Sequence, residues 1–293
     1  MTTYSQHNKV QLLYGESFTA QLKRGLDVRV YADSRPRNLK ISPLQKGLVL
    51  VKDGKELIEE GVGFGVPVAI YSDKTYFSSS AQVFIYETEE KKVIEKKFLL
   101  DTSSRRKWRI SSLVDNPFYK SVSRFLENTY INYPDSRRII LPLMGLKNKV
   151  GVKTEFTKST PRGEVTVRYE IKQDELKIEA DLSKLNKKGL KRLVLLNEQG
   201  SNFFRKLVRP DSPDQIDEGI GAWNPVRDRC ASFSDLDNSL IFSLQNIPRS
   251  HLFAGREYFK GTTAWSGLQY EVEPSLGKFS YGIRFSCGGD SHD

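Results

Sequence analysis

The chain has 293 residues, of which 38% are hydrophobic and 11% aromatic, enough to bury a core and exclude wholesale disorder. A mean hydropathy of -0.49, with no apolar run near eighteen residues, excludes a membrane-spanning helix. Two Cys exclude a disulfide-built scaffold, three His leave little for a histidine-rich metal site, and 46 Lys+Arg against 36 Asp+Glu give a formal charge of +10.

Residues 1–10 are polar and read as no secretory signal, so the expected location is cytoplasmic. From there most of the chain alternates with period two. Leu26–Tyr31 predicts a half-buried strand. Gly47–Ile58 predicts two short strands about Asp53-Gly54, a pair suited to the positive φ angles of a type I′ hairpin. Strands follow at Pro67–Tyr71, Thr75–Tyr86 and Lys92–Leu100. Asp115-Asn-Pro-Phe then opens the one helical pattern: Pro117 suits a first turn, and Phe118, Val122, Phe125 and Leu126 form a stripe. The spacing predicts an amphipathic helix near 117–128. Val165–Ile171 and Leu176–Leu182 predict a hairpin, and Ser183–Gly189 reads equally as a helical turn or a loop. Leu190–Leu196, Ser239–Gln245, Tyr270–Val272 and Lys278–Cys287 complete the strands. Turn residues near every tenth position are the spacing of an all-β fold. The expectation is all-β: one large antiparallel β-sandwich or supersandwich spanning 1–293, with Lys147–Arg162 the weakest point for a subdivision. Cys230 and Cys287 read as small buried hydrophobes, with a disulfide between them left open.

The segment Glu59-Glu-Gly-Val-Gly-Phe-Gly-Val-Pro-Val-Ala-Ile-Tyr71, followed by strands at Tyr76–Phe77 and Ala81–Tyr86, resembles the entry into a large antiparallel sandwich. With the later stretch Leu190–Phe204, the strand rhythm from Leu26 to Phe285 resembles the galactose-mutarotase-like β-supersandwich. That resemblance implies a sugar-facing scaffold, as in aldose epimerases and the sandwich domains of polysaccharide lyases. Aldose epimerases of this fold use two histidines. Here His7 lies in the N-terminal tail and His292 is penultimate, leaving His251 alone in the strand-rich body. The paired-histidine chemistry therefore lacks its second member.

Four groups of residues invite a chemical reading. Gly61, Gly63 and Gly65 suggest a phosphate loop, but no helix pattern follows and Pro67 intervenes, so a bend or bulge is the better reading. Ser250–Gly261 gathers His251, Arg256, Glu257 and Tyr258: a base, a cation, a carboxylate and a phenol. In a strand Arg256 and Tyr258 share a face, and they offer uronate neutralisation and proton abstraction. The simpler reading is a surface strand with its Tyr and Phe packed in the core. Trp223, Asn224 and Arg227, with Trp265 in a second glycine-bounded loop, supply flat faces and hydrogen-bonding groups for a pyranose. The acidic stretch Arg209–Gly219 reads as a lid or a solvated loop.

No metal spacing and no cofactor motif occur. Arg105, Arg106, Lys107 and Arg109 around Trp108 combine charge with a stacking surface, yet acidic residues are interspersed and no nucleic-acid motif is present. The leading expectation is recognition or processing of a carbohydrate, an anionic one included. The alternative is a non-enzymatic interaction protein whose basic face meets an anionic partner such as nucleic acid. Oligomeric state is not legible.

Overall fold

The computed structural model of the protein describes residues 9–23, 25–32, 44–58, 61–72, 74–88, 92–108, 152–172, 174–216, 220–221, 223–258 and 264–287. Among these every regular element is a strand, and every strand pairing is antiparallel. The expected helix at 117–128 lies outside the described residues.

Three sheets result. The largest has ten strands and runs from one edge through β1 (Lys9–Leu12), β8 (Ser80–Glu87), β9 (Lys92–Leu99), β12 (Glu164–Ile171) and β13 (Glu175–Asp181). It continues through β22 (Lys278–Cys287), β19 (Leu240–Gln245), β18 (Cys230–Ser234), β15 (Lys206–Arg209) and β16 (Ser212–Ile216). The second sheet begins with β11 (Val152–Lys158), β10 (Thr102–Trp108), β7 (Thr75–Phe77) and β6 (Gly63–Tyr71). Its other half is β14 (Leu190–Gln199), β21 (Ala264–Val272), β20 (Ser250–Tyr258) and β17 (Asn224–Pro225). The small third sheet is β2 (Ser17–Lys23), β3 (Leu26–Tyr31), β4 (Val49–Lys52) and β5 (Lys55–Glu56).

The two large sheets meet face to face through aromatic side chains. Phe64 of β6 meets Phe242 of β19 edge-on at 5.4 Å between ring centroids, and Tyr270 of β21 meets Tyr281 of β22 at 4.9 Å. The alternation that predicted β3 is what buries it: Leu26, Val28 and Val30 are shielded while Asp27 and Arg29 are half-exposed. Asp53 and Gly54 adopt φ of 50° and 77°, as the hairpin between β4 and β5 requires.

The glycine run of β6 is a bulge. Leu196 pairs with Val66 but the adjacent Asn197 pairs with Phe64, leaving Gly65 as the extra residue at φ 75°. Gly65 N donates to Asn197 Oδ1 at 3.0 Å. The Tyr169 ring lies so close that a Cβ on Gly65 would come within 2.9 Å of it. The Tyr169 hydroxyl crosses between the large sheets to donate to Phe64 O at 3.0 Å. Lys96 of β9, fully buried, ties the ten-stranded sheet to the small one by donating to Tyr31 O at 2.9 Å and Lys46 O at 2.7 Å.

Three expectations need correction. Thr75–Tyr86 is two strands in different sheets. The chain turns at Ser78 and Ser79, where the Asp101 carboxylate accepts from Ser79 N and Oγ at 3.1 Å and Ser78 Oγ donates to Ser80 O at 2.6 Å. The acidic stretch from Arg209 contains β16, paired with β15 and anchored by a 2.8 Å Lys206–Asp214 ion pair. β21 begins at Ala264, well before Tyr270. Within Lys147–Arg162, β11 pairs with β10 from Thr102↔Lys158 to Trp108↔Val152. Ser183–Gly189 forms turns and a bridge at Leu185, with no helix. Cys230 is a half-buried free thiol.

Two outcomes follow for stability. Gly65→Ala places a side chain at positive φ against the Tyr169 ring, and each effect costs about 1–3 kcal/mol; denaturant unfolding of the variant will show a loss of about 2–5 kcal/mol. Burial pushes the Tyr169, Tyr270 and Tyr281 hydroxyls well above the ordinary phenol value, with the neighbouring tyrosines adding to the shift at Tyr281. The unfolded chain releases these protons near pH 10 while the folded chain keeps them. Their contribution is therefore intact below pH 10 and declines above it, by up to about 1.4 kcal/mol per pH unit for each tyrosine. An alkaline titration following phenolate absorbance and circular dichroism together will show these three ionising only as the fold is lost. Ionisation of all tyrosines before unfolding would contradict this.

Candidate functional site

Strand β20 carries most of the residues singled out by sequence, and its pleat divides them. Leu252, Ala254 and Arg256 are buried on the face turned towards the ten-stranded sheet. His251, Phe253 and Gly255 belong to the opposite face, where His251 is exposed. His251 and Arg256 are thus on opposite faces and separated by about 17 Å of strand, at roughly 3.4 Å per residue. They do not form one catalytic centre, because an odd spacing in a strand always reverses the face. Glu257 and Tyr258 lie in β20 opposite Trp265 and Ala264 of β21; their side chains lie outside the described residues.

Arg256 is 6% exposed. Its Nη2 donates to Ser201 O at 3.3 Å, and its backbone N donates to Gly221 O at 2.7 Å. The arginine thereby pins the loop before β17 and the turn after β14 to the inner end of the sheet. That placement is structural bracing at a site where sequence reading suggested uronate neutralisation.

The tryptophans do come together. Trp223 and Trp265, from segments far apart in sequence, stack with ring centroids 4.6 Å apart and an interplanar angle of 23°. Both are half-buried. Two glycines make the arrangement feasible. Gly255 and Gly267 are direct cross-strand partners, and a Cβ on Gly255 would meet Trp223 N at 2.7 Å and its ring at 3.0 Å. The indole of Trp223 therefore lies close against the bare backbone of β20. Gly267 leaves similar room for Glu198 of β14, whose stem would touch a Cβ there at 2.9 Å and whose carboxylate accepts from Val62 N at 3.1 Å. Glu198, 6% exposed, is a buried carboxylate that sequence reading missed; the available signal was the polar run Asn197-Glu198-Gln199 closing an apolar strand.

Asn224 pairs with Ala254 at the sheet edge and donates from Nδ2 to Ile220 O at 2.7 Å. Its amide oxygen is left over from that brace. Arg227, two residues beyond β17, is exposed and has no ion-pair partner among the described residues. Trp223, Trp265, Asn224 and Arg227 thus fall around the β17 edge of the eight-stranded sheet. Among the described residues no group of three or more His, Cys, Asp or Glu is placed to hold a metal ion. No helix among them is long and apolar enough to cross a membrane.

His251 lies at the far end of β20, opposite Glu271 of β21. There a cleft of about 380 Å³ is lined by Lys191, Arg249, Ser250, His251, Glu271, Val272, Glu273 and Pro274. Arg249 Nε donates to Glu273 at 2.8 Å and its Nη2 to Ser275 Oγ at 3.2 Å. The Arg249 bond, with a second from Ser275 Oγ to Glu273 Oε1 at 2.8 Å, holds the Glu273 carboxyl below the usual carboxylate range, and the Glu273 bond raises the Arg249 guanidinium.

No protein-family model matches the chain, and no curated protein matches it. Among solved structures the chain is similar to the Slr1438 protein from Synechocystis sp. PCC 6803 at 9% identity, covering 92% of this chain and 95% of that one. The TM-score of 0.41 is too low for that likeness to carry an argument about this chain.

Proposed function

We propose that the protein binds carbohydrate at the Trp223–Trp265 pair. The observation that carries the reading is the stack itself: two half-exposed indoles, one from the segment before β17 and one from strand β21, with Trp223 backed by glycine. A stacked partner fixes each ring, so little side-chain freedom remains to be lost when a ligand docks. Indoles present an apolar face together with an N–H, a combination suited to the C–H face and hydroxyls of a pyranose. Asn224 offers its amide oxygen to a hydroxyl, and Arg227 offers a cation that favours an acidic sugar. The strand rhythm that resembles the mutarotase-like supersandwich points to the same ligand class. The separation of His251 from Arg256 removes His251 from the proton-abstraction scheme; the other candidate base, Tyr258, has its side chain outside the described residues, and the role proposed is binding.

The alternative, a basic face for nucleic acid or another polyanion, has weaker support. On the ten-stranded sheet basic residues are matched by acids, as in Lys97–Glu95 at 3.7 Å and Lys278–Glu179 at 3.5 Å. The side chains of the Arg105–Lys107 run lie outside the described residues.

Glycan-array binding followed by fluorescence titration tests the proposal. Trp265→Ala will weaken binding at least about tenfold, equivalent to about 1.4 kcal/mol. Arg227→Ala will weaken acidic glycans selectively. Absence of glycan binding, or binding indifferent to Trp265→Ala in a folded variant, would overturn the reading.

A further inference from the structure

The geometry points to a second, separate site: the His251 cleft is built to take the phosphate group of a small phosphate monoester. Two backbone irregularities converge there. Leu190 pairs with Tyr71 and Arg192 with the adjacent Ile70, so Lys191 is the extra residue of a bulge, a device that re-aims a side chain. Arg249 sits at φ 64°, in a region that non-glycine residues occupy at a cost. Lys191 and Arg249 both line the cleft, with His251 beside them.

The charges support an anion. Glu271 and Glu273 also line the cleft, but each already faces an arginine: Arg192 Nη1 is 3.5 Å from Glu271, and Arg249 Nε is 2.8 Å from Glu273. Lys191 and His251 are exposed and have no ion pair or hydrogen bond among the described residues. Lys191, Arg192 and Arg249 thus outnumber the two carboxylates before His251 is counted. Arg249 spends Nε on Glu273 and one N–H of Nη2 on Ser275, keeping three of its five donors. Its clamp positions those donors ahead of ligand arrival. A tetrahedral oxyanion offers several acceptors to match Lys191, His251 and Arg249 together. The volume, about 380 Å³, is within the range of small-molecule sites, which favours an ester over the bare ion.

The test is calorimetric titration of the full chain with inorganic phosphate and with glucose 6-phosphate at fixed ionic strength. Saturable binding is expected, tighter for the ester. Lys191→Gln and His251→Gln, both at exposed positions, will each weaken it at least about fivefold. Glu271→Gln, which removes a carboxylate and releases Arg192, will strengthen it several-fold, a gain that misfolding does not mimic. Trp265→Ala will leave it unchanged, so this site stands or falls independently of carbohydrate binding. No saturable binding of either probe would overturn the proposal, as would equal weakening by Lys278→Gln on the other sheet, the mark of diffuse attraction.

Discussion

The backbone of Phe64 is the point on which all three sheets depend. Its N–H and C=O exchange hydrogen bonds with Leu48, at 2.8 and 3.1 Å, joining the small sheet to the eight-stranded one. The same carbonyl receives the Tyr169 hydroxyl from the ten-stranded sheet, while the ring packs on Phe242 and Phe285. One residue can serve so many neighbours only because the glycines flanking it bend the strand. Around this node the polar side chains are buried and partnered. Asn197 Oδ1 accepts from Gly65 N and from the Tyr281 hydroxyl, and Gln199 bonds Leu50 N and Leu48 O. Buried amides of this kind hold register firmly, because a slip would strand each of them without a partner.

The rigid node and the two candidate sites use the same sheet differently. At the node β14 turns its polar residues inward to stitch layers together. On the opposite face Glu198 and the tryptophan stack lie over glycines that leave the backbone bare. At the other end of β14 a second bulge turns Lys191 outward into a cleft. The interior fixes the position of every strand, so side chains on the outward face inherit a geometry they need not stabilise themselves.

Local pattern made much of this legible. The alternation of β3, β12 and β13, the Asp53-Gly54 hairpin and the bulge at the glycine run all follow from residues adjacent in sequence. The break at Ser78–Ser79 did not, since its cause is Asp101, a residue brought near only by the fold. The start of β21 looked like a loop as far as Gly267 because Ser266 and Gly267 are poor strand residues in isolation; Gly267 belongs there because Glu198 needs the space. The sequence groups the two tryptophans as one sugar-facing set, but their direct stacking is a consequence of the β17–β20 and β20–β21 pairings that no local window contains. The opposition of His251 and Arg256, by contrast, was available from counting residues along a strand.

The order of the ten-stranded sheet sets when it can exist. β22, residues Lys278–Cys287, lies between β13 and β19 in the middle of that sheet. On a ribosome the strands on either side of it in the sheet therefore emerge first, as two incomplete panels with exposed edges. They are welded into one sheet only when the last strand arrives. Such a chain passes through an interval in which open edges can invite wrong partners, so the exposed-edge problem belongs to the nascent chain more than to the finished protein.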